Sequence, residues 1–186
     1  MQGKGVSTET INSMLSLLEL KSWAIVALLE VDFVTYKFPG DGEFQVLPES
    51  GHLFARHHSG PGTRAYGLLV HSSLRARVKQ LSCGWRSYRL DLRSDDSADL
   101  SGQPARSYLF SHLAHDDFSE SLAVALSLGR TRPRGSTLTW LGDINADILN
   151  KNGRFDQYQE ACRNMGLTWC PLRFWEPTMN LSLIHI

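Results

Sequence analysis

The sharpest chemical feature of the chain is the run TLTWLGDINADIL at residues 137–149, where an apolar, β-branched stretch meets a glycine and then Asp143 and Asn145. A strand ending this way carries both side chains to its carboxyl end, where open α/β sheets keep their ligand sites. A carboxylate there can ligate a metal or take a proton from water. A nearby carboxamide donates hydrogen bonds to phosphate without adding repulsive charge. The pair suits phosphoester hydrolysis. A strand closed by an ordinary Asp/Asn turn accounts for the same residues equally well.

Glu30 is the second candidate, because it closes an apolar strand, where an acidic residue is costly if buried without a partner or a cation. Hard cations such as Mg²⁺ take carboxylate oxygens; a solvated strand end is the competing reading. His112 stands next to last in the run SYLFSHL, at the strand's end, and an imidazole there can donate a proton to a leaving oxygen or be structural. The dipeptide His115–Asp116 hints at a metal phosphohydrolase, but the further His and Asp ligands that such a site needs have no place in the pattern. His52, His57 and His58 sit in a loop-rich stretch and read as solvated. Arg64, the run Arg75, Arg77 and Lys79, and the trio Arg130, Arg132 and Arg134 are candidate phosphate contacts or plain solvated faces.

The elements that must position these residues follow from periodicity. Ser7, Thr8 and Thr10 precede apolar residues at helical spacing from Ile11 to Leu20, which predicts a capped amphipathic helix. AIVALLEV then predicts a strand buried on both faces and ending at Glu30. Prolines and glycines between Lys37 and Gly62 predict loops and short hairpins. Strands are predicted over Tyr66–His71, Ser87–Leu92, Ser107–Leu113 and Thr137–Leu141, with helices over Ser119–Leu128 and Asp156–Met165. The interleaving predicts a mixed α/β or α+β layered sandwich.

At 186 residues the chain is long enough for one domain with a real core, and 42% hydrophobic with 20% charged residues excludes disordered and collagen-like classes. Lys plus Arg and Asp plus Glu are 19 each, so attraction to a polyanion must come from a local basic face. Cys83, Cys162 and Cys170 form no CxxC pair, which argues against a disulfide framework and a structural zinc site. The apolar stretch at 23–29 is too short to span a membrane, and no secretory signal is evident, so an intracellular protein is expected.

Taken in chain order, LLEVD around Glu30, YGLLVH, YRLDL, FSHL around His112, LGDINAD and EPTMN resemble the endonuclease/exonuclease/phosphatase superfamily. The likeness is greatest to the apurinic-type endonuclease domain of non-LTR (LINE-like) retrotransposons, and it covers about residues 8–180. It implies an α+β fold of two packed mixed β-sheets flanked by helices, a four-layer sandwich. It also implies Mg²⁺-dependent (or Mn²⁺-dependent) hydrolysis of a DNA phosphodiester. By this resemblance Glu30 is the metal ligand, although Leu29 precedes it where the family usually has glutamine. Asp143 positions or deprotonates the attacking water, Asn145 holds the scissile phosphate, and His112 stands near that phosphate. Thr178 is architectural.

The family's first strand, with a site asparagine, has no counterpart before the first helix, and its last strands, with a further aspartate and the main catalytic histidine, have none after Asn180. Residues 1–180 are therefore expected to be an incomplete domain of impaired activity. Residues 181–186, LSLIHI, resemble translated adapter sequence, and His185 is not the missing histidine. The implied parent is a nuclear DNA endonuclease of a eukaryotic retroelement, fused to a reverse transcriptase. Two alternatives share the fold: a phosphatase of inositol phosphates or phospholipid head groups, and a non-catalytic remnant.

Overall fold

The structure, a computed structural model, describes residues 13–16, 24–31, 42–47, 50–58, 65–94, 105–145 and 153–168. Of Glu30, Val31 and His58 it describes the backbone alone. Arg64, Cys170, Thr178, His185 and residues 181–186 lie outside the described residues.

The first sheet contains β1 (Ile25–Val31), β2 (Phe44–Val46), β3 (Leu53–His58) and β4 (Ala65–Val70) in the order β1-β4-β3-β2. All of its pairings are antiparallel. The second contains β5 (Val78–Gly84), β6 (Ser87–Leu92), β7 (Arg106–His112) and β8 (Thr137–Asp143) in sequence order. It is mixed, because β8 returns parallel to β7 after α1 (Phe118–Arg130). A 3-10 turn, Ser72–Arg77, joins the sheets, and α2 (Gly153–Asn164) follows β8. The fold is thus the expected α+β arrangement of two sheets with helices, with the first sheet antiparallel throughout.

Strand alternation builds the layers. Tyr66, Leu68 and Val70 of β4 and Tyr88, Leu90 and Leu92 of β6 share one core between the sheets with Ile25, Leu53 and Phe110. Their spacing of two puts them on one face of each strand. The other face of the second sheet packs Leu109 and Leu138 against Leu122 and Ala125 of α1 and Tyr158 and Ala161 of α2. The outer face of the first sheet, through Leu28, Phe54 and Leu69, receives Met14 and Leu15 of a helical turn at residues 13–16. The layers are therefore helix, sheet, sheet, helix.

Three strands depart from the sequence reading. β2 and β3 form one of the short hairpins expected there, though neither strand was placed, and β5 begins inside a run of cations. His52 is not solvated: it is 0% exposed, its Nδ1 accepts the Ser72 N–H at 2.9 Å, and its ring lies 4.7 Å from that of His71. His57 is half-buried and its Nε2 sits 2.9 Å from Gly84 O, a contact between the sheets. A histidine whose ring nitrogen meets a backbone group can enter a core that an unpartnered one cannot.

Candidate functional site

One end of the sandwich collects the carboxyl ends of β1, β3, β5, β7 and β8 and the amino ends of β4 and β6. The parallel register pairs Ser111 with Gly142 and His112 with Asp143, so two separate strands end side by side. Leu113 N–H donates to Asp143 O at 2.8 Å and carries the pairing one step further. Gly142 makes this closeness possible. A Cβ there would stand 1.9 Å from Ser111 O, and its φ of 153° is one that other residues rarely adopt. Trp140 Nε1 donates to Ser111 Oγ at 2.7 Å and fixes the same pair of strands from the helical side.

Asp143 is half-buried, and its Oδ1 accepts the Asn145 backbone N–H at 3.3 Å, which closes the turn. That turn puts Asn145 at a φ of 46°, a region asparagine tolerates better than most residues. The exposed Asn145 points its amide Nδ2 at His112 Nε2, 3.0 Å away. His112 is only 6% exposed, and its Nδ1 lies 3.4 Å from the Tyr66 hydroxyl of the opposite sheet. An amide nitrogen can only donate, so in this contact the Asn145 Nδ2–H donates to His112 Nε2. Tyr66, His112, Asn145 and Asp143 thus form one connected set drawn from both sheets.

Glu30 occupies an irregularity in β1. Its pairing with β4 shifts between Leu28, opposite Gly67, and Val31, opposite Ala65. Two residues of β1, Leu29 and Glu30, therefore stand against Tyr66, and Glu30's backbone lies at the same end of the sandwich as His112 and Asp143. Strand β1 also contacts β7 across the core. Among the described residues, no group of three His, Cys, Asp or Glu side chains is close enough to hold a metal.

Beneath the site, Tyr88 donates from its hydroxyl to Gly67 O at 2.9 Å and stacks on Phe110. Burial, with Cys83 and Tyr66 nearby, pushes its hydroxyl well above the usual value of 10.0, so it remains a neutral donor. A cavity of about 10 Å³ between the sheets, lined in part by Arg56, His57 and Cys83, has room for about one water.

Other sequence candidates are not brought there. Arg75, Arg77 and Lys79 follow the carboxyl end of β4, and Arg130, Arg132 and Arg134 precede β8, so both groups lie at the opposite end of the sheets. Arg77 donates to Arg93 O, and Arg132 to Gly129 O. His115 is exposed beside Asp116, with 3.5 Å between Nδ1 and Oδ1. Sequence singles out Tyr66 only as the neighbour of Arg64 in a candidate phosphate contact, and Ser111 not at all. Their only local signal is strand alternation, which says which face they take and nothing of what they meet across the core.

No family model, curated protein or solved structure matches this chain. The functional reading therefore stands on the residues and their geometry. Among the described residues, no helix is long and apolar enough to cross a membrane.

Proposed function

We propose that the chain carries the catalytic face of a Mg²⁺-dependent DNA endonuclease of the endonuclease/exonuclease/phosphatase type, most like the nicking domain of a non-LTR retrotransposon. The observation that carries this reading is the parallel pairing of β7 with β8, which joins Asp143, Asn145 and His112 in one hydrogen-bonded cluster at the end of the sandwich. Fusion to a reverse transcriptase and a nuclear site of action belong to the same proposal.

The donor chemistry suits the ion. Magnesium is held by one or two carboxylates, with water and substrate phosphate filling its other positions, so a three-residue cage is not required. Glu30, in the irregular part of β1 opposite Tyr66, is the metal ligand in this reading, and Asp143 serves the attacking water. When bound, the ion neutralises charge that develops on the phosphate oxygens. Asp143 takes the proton of the attacking water at a carboxylate oxygen as the new P–O bond forms, and the sugar oxygen leaves with a proton from solvent. Asn145 donates an amide hydrogen to a non-bridging phosphate oxygen. His112, enclosed between Tyr66 and Asn145, is in this reading a positioning residue that holds the amide.

The test is nicking of supercoiled plasmid in Mg²⁺ by the 186-residue chain and its Asp143→Ala and Asn145→Ala variants. Each substitution should lower the rate about 10²-fold or more. Undiminished nicking by both would remove the site. Turnover of inositol phosphates or phospholipid head groups in preference to DNA would reassign the substrate.

A further inference from the structure

The hairpin between β5 and β6 turns on two residues, Trp85 and Arg86, at the same end of the sandwich as Asp143. Arg86 O accepts the His112 N–H at 2.9 Å, so the tip is fastened directly to the strand that carries the site histidine. Arg86 has a φ of 55°. A turn that needs a positive φ at its second central residue favours glycine or asparagine, and a long side chain there is disfavoured. The chain thus keeps an arginine where the backbone prefers glycine, and strain retained beside a site is a pointer to use of the side chain.

The arginine's surroundings fit one use. Its guanidinium lies 4.9 Å from the centre of the Trp85 ring, and its Nη2 is 3.8 Å from Asp117 Oδ2, with side-chain exposures of 20% and 45%. Asp117 occupies the N-cap position of α1, yet its carboxylate makes no capping hydrogen bond. At 3.8 Å and partly exposed, this ion pair is loose enough to exchange for a better anion. A phosphate offers guanidinium the bidentate, charge-assisted geometry that this aspartate does not reach. Trp85, half-buried beside it, adds a flat apolar face of the kind on which sugars and bases stack. At the same helix start, the Arg154 guanidinium of α2 lies 5.9 Å from the Phe118 ring centre.

We propose that the Trp85–Arg86 hairpin tip is a nucleic-acid contact: Arg86 exchanges Asp117 for a backbone phosphate of the DNA strand next to the one being cut, and Trp85 packs on the adjoining sugar or base. This rests on the DNA-cleavage reading above and extends it to how the strand is gripped. The contact is to the backbone and is indifferent to sequence.

The decisive variant is Arg86→Gly, because it removes the guanidinium while relieving the backbone. Binding of a fluorescein-labelled duplex to the full 186-residue chain is followed by anisotropy in EDTA, so that nothing is cleaved, across a salt series. Arg86→Gly should bind about tenfold more weakly, with the slope of log affinity against log salt reduced by about 1, while its melting temperature holds or rises. Trp85→Ala should weaken binding with the salt slope unchanged, and Asp117→Asn should tighten it. Parent-like affinity and slope in Arg86→Gly would overturn the proposal, as would absence of duplex binding by the parent chain at low salt. Nicking by Asp143→Ala and Asn145→Ala is scored separately. Loss of nicking in those variants with parent-like binding by Arg86→Gly sinks the hairpin contact alone; nicking undiminished in them sinks the catalytic site.

Discussion

At Asn145 the backbone and the side chain make separate demands, and a single substitution separates them. Its φ of 46° is imposed by the turn that Asp143 Oδ1 closes, while its amide serves His112 and, in the proposed reaction, phosphate. Asn145→Gly keeps the turn and deletes the amide. Stability should change by less than about 1 kcal/mol, because glycine takes a positive φ without steric cost. Nicking should fall about 10²-fold. A denaturant midpoint near the parent's with nicking lost would assign the amide to chemistry; both retained would make the residue a turn former only. Tyr66→Phe is the milder companion, since its 3.4 Å contact with His112 Nδ1 is at the outer limit of a hydrogen bond. It should lower nicking less than tenfold, measured on the same plasmid.

Two close contacts hold the second sheet together, and each has its own weak point. The first is the close approach of β7 and β8. Gly142→Ala drives a Cβ into Ser111 O, which is backbone and cannot swing away. It should cost roughly 2–4 kcal/mol by chemical denaturation, and parent-like stability would show that the strands do not approach so closely. The second lies under α1, where buried Arg89 donates to both carboxylate oxygens of Asp91 and to Leu128 O at the end of the helix. Ser107 Oγ donates to Asp91 Oδ1 at 2.7 Å. With side-chain exposures of 4% and 1%, neither charge reaches water. Asp91→Ala should therefore cost about 3–5 kcal/mol, because it strands a buried guanidinium; a loss under 1 kcal/mol would mean that solvent reaches Arg89.

Elements were legible in the sequence where one pattern ruled them. β6 runs from Ser87 to Leu92 as its alternation predicts, and β4, β7, α1 and α2 lie within a few residues of their expected places. β3 was not legible as a strand, because LFARHH ends in Arg and His, and the partner of His57, Gly84 O, comes from the other sheet. β5 is an edge strand with half its residues turned toward solvent or the helix, so its apolar signal is diluted. Asp143 and Asn145 could be read because strand, glycine and turn are adjacent in the chain. The link from Tyr66 to His112 spans 46 residues, and no local pattern encodes it.

Across the whole molecule, the buried hydroxyls and thiol set how the fold responds to alkali. Tyr88, between the sheets, and Tyr158, on α2 against Trp140, both have hydroxyls pushed well above the usual 10.0, chiefly by burial. Burial also raises the Cys162 thiol above its usual 9.0, partly offset by its hydrogen bond with Tyr158. In each case the folded chain holds its proton at a pH where the unfolded chain releases it. This contribution is complete below about pH 9 and is lost as pH climbs through the unfolded values toward the folded ones. Stability should be insensitive to these three groups between about pH 6 and 8. Above pH 10 each buried tyrosine should remove about 1.4 kcal/mol per pH unit. Tyr158→Phe keeps the ring against Trp140 but removes the ionisable hydroxyl, so its stability should fall less steeply above pH 10 than the parent's. Denaturant midpoints measured from pH 7 to 11 decide it, and identical alkaline slopes in parent and variant would place the Tyr158 hydroxyl in contact with water and α2 away from the sheet.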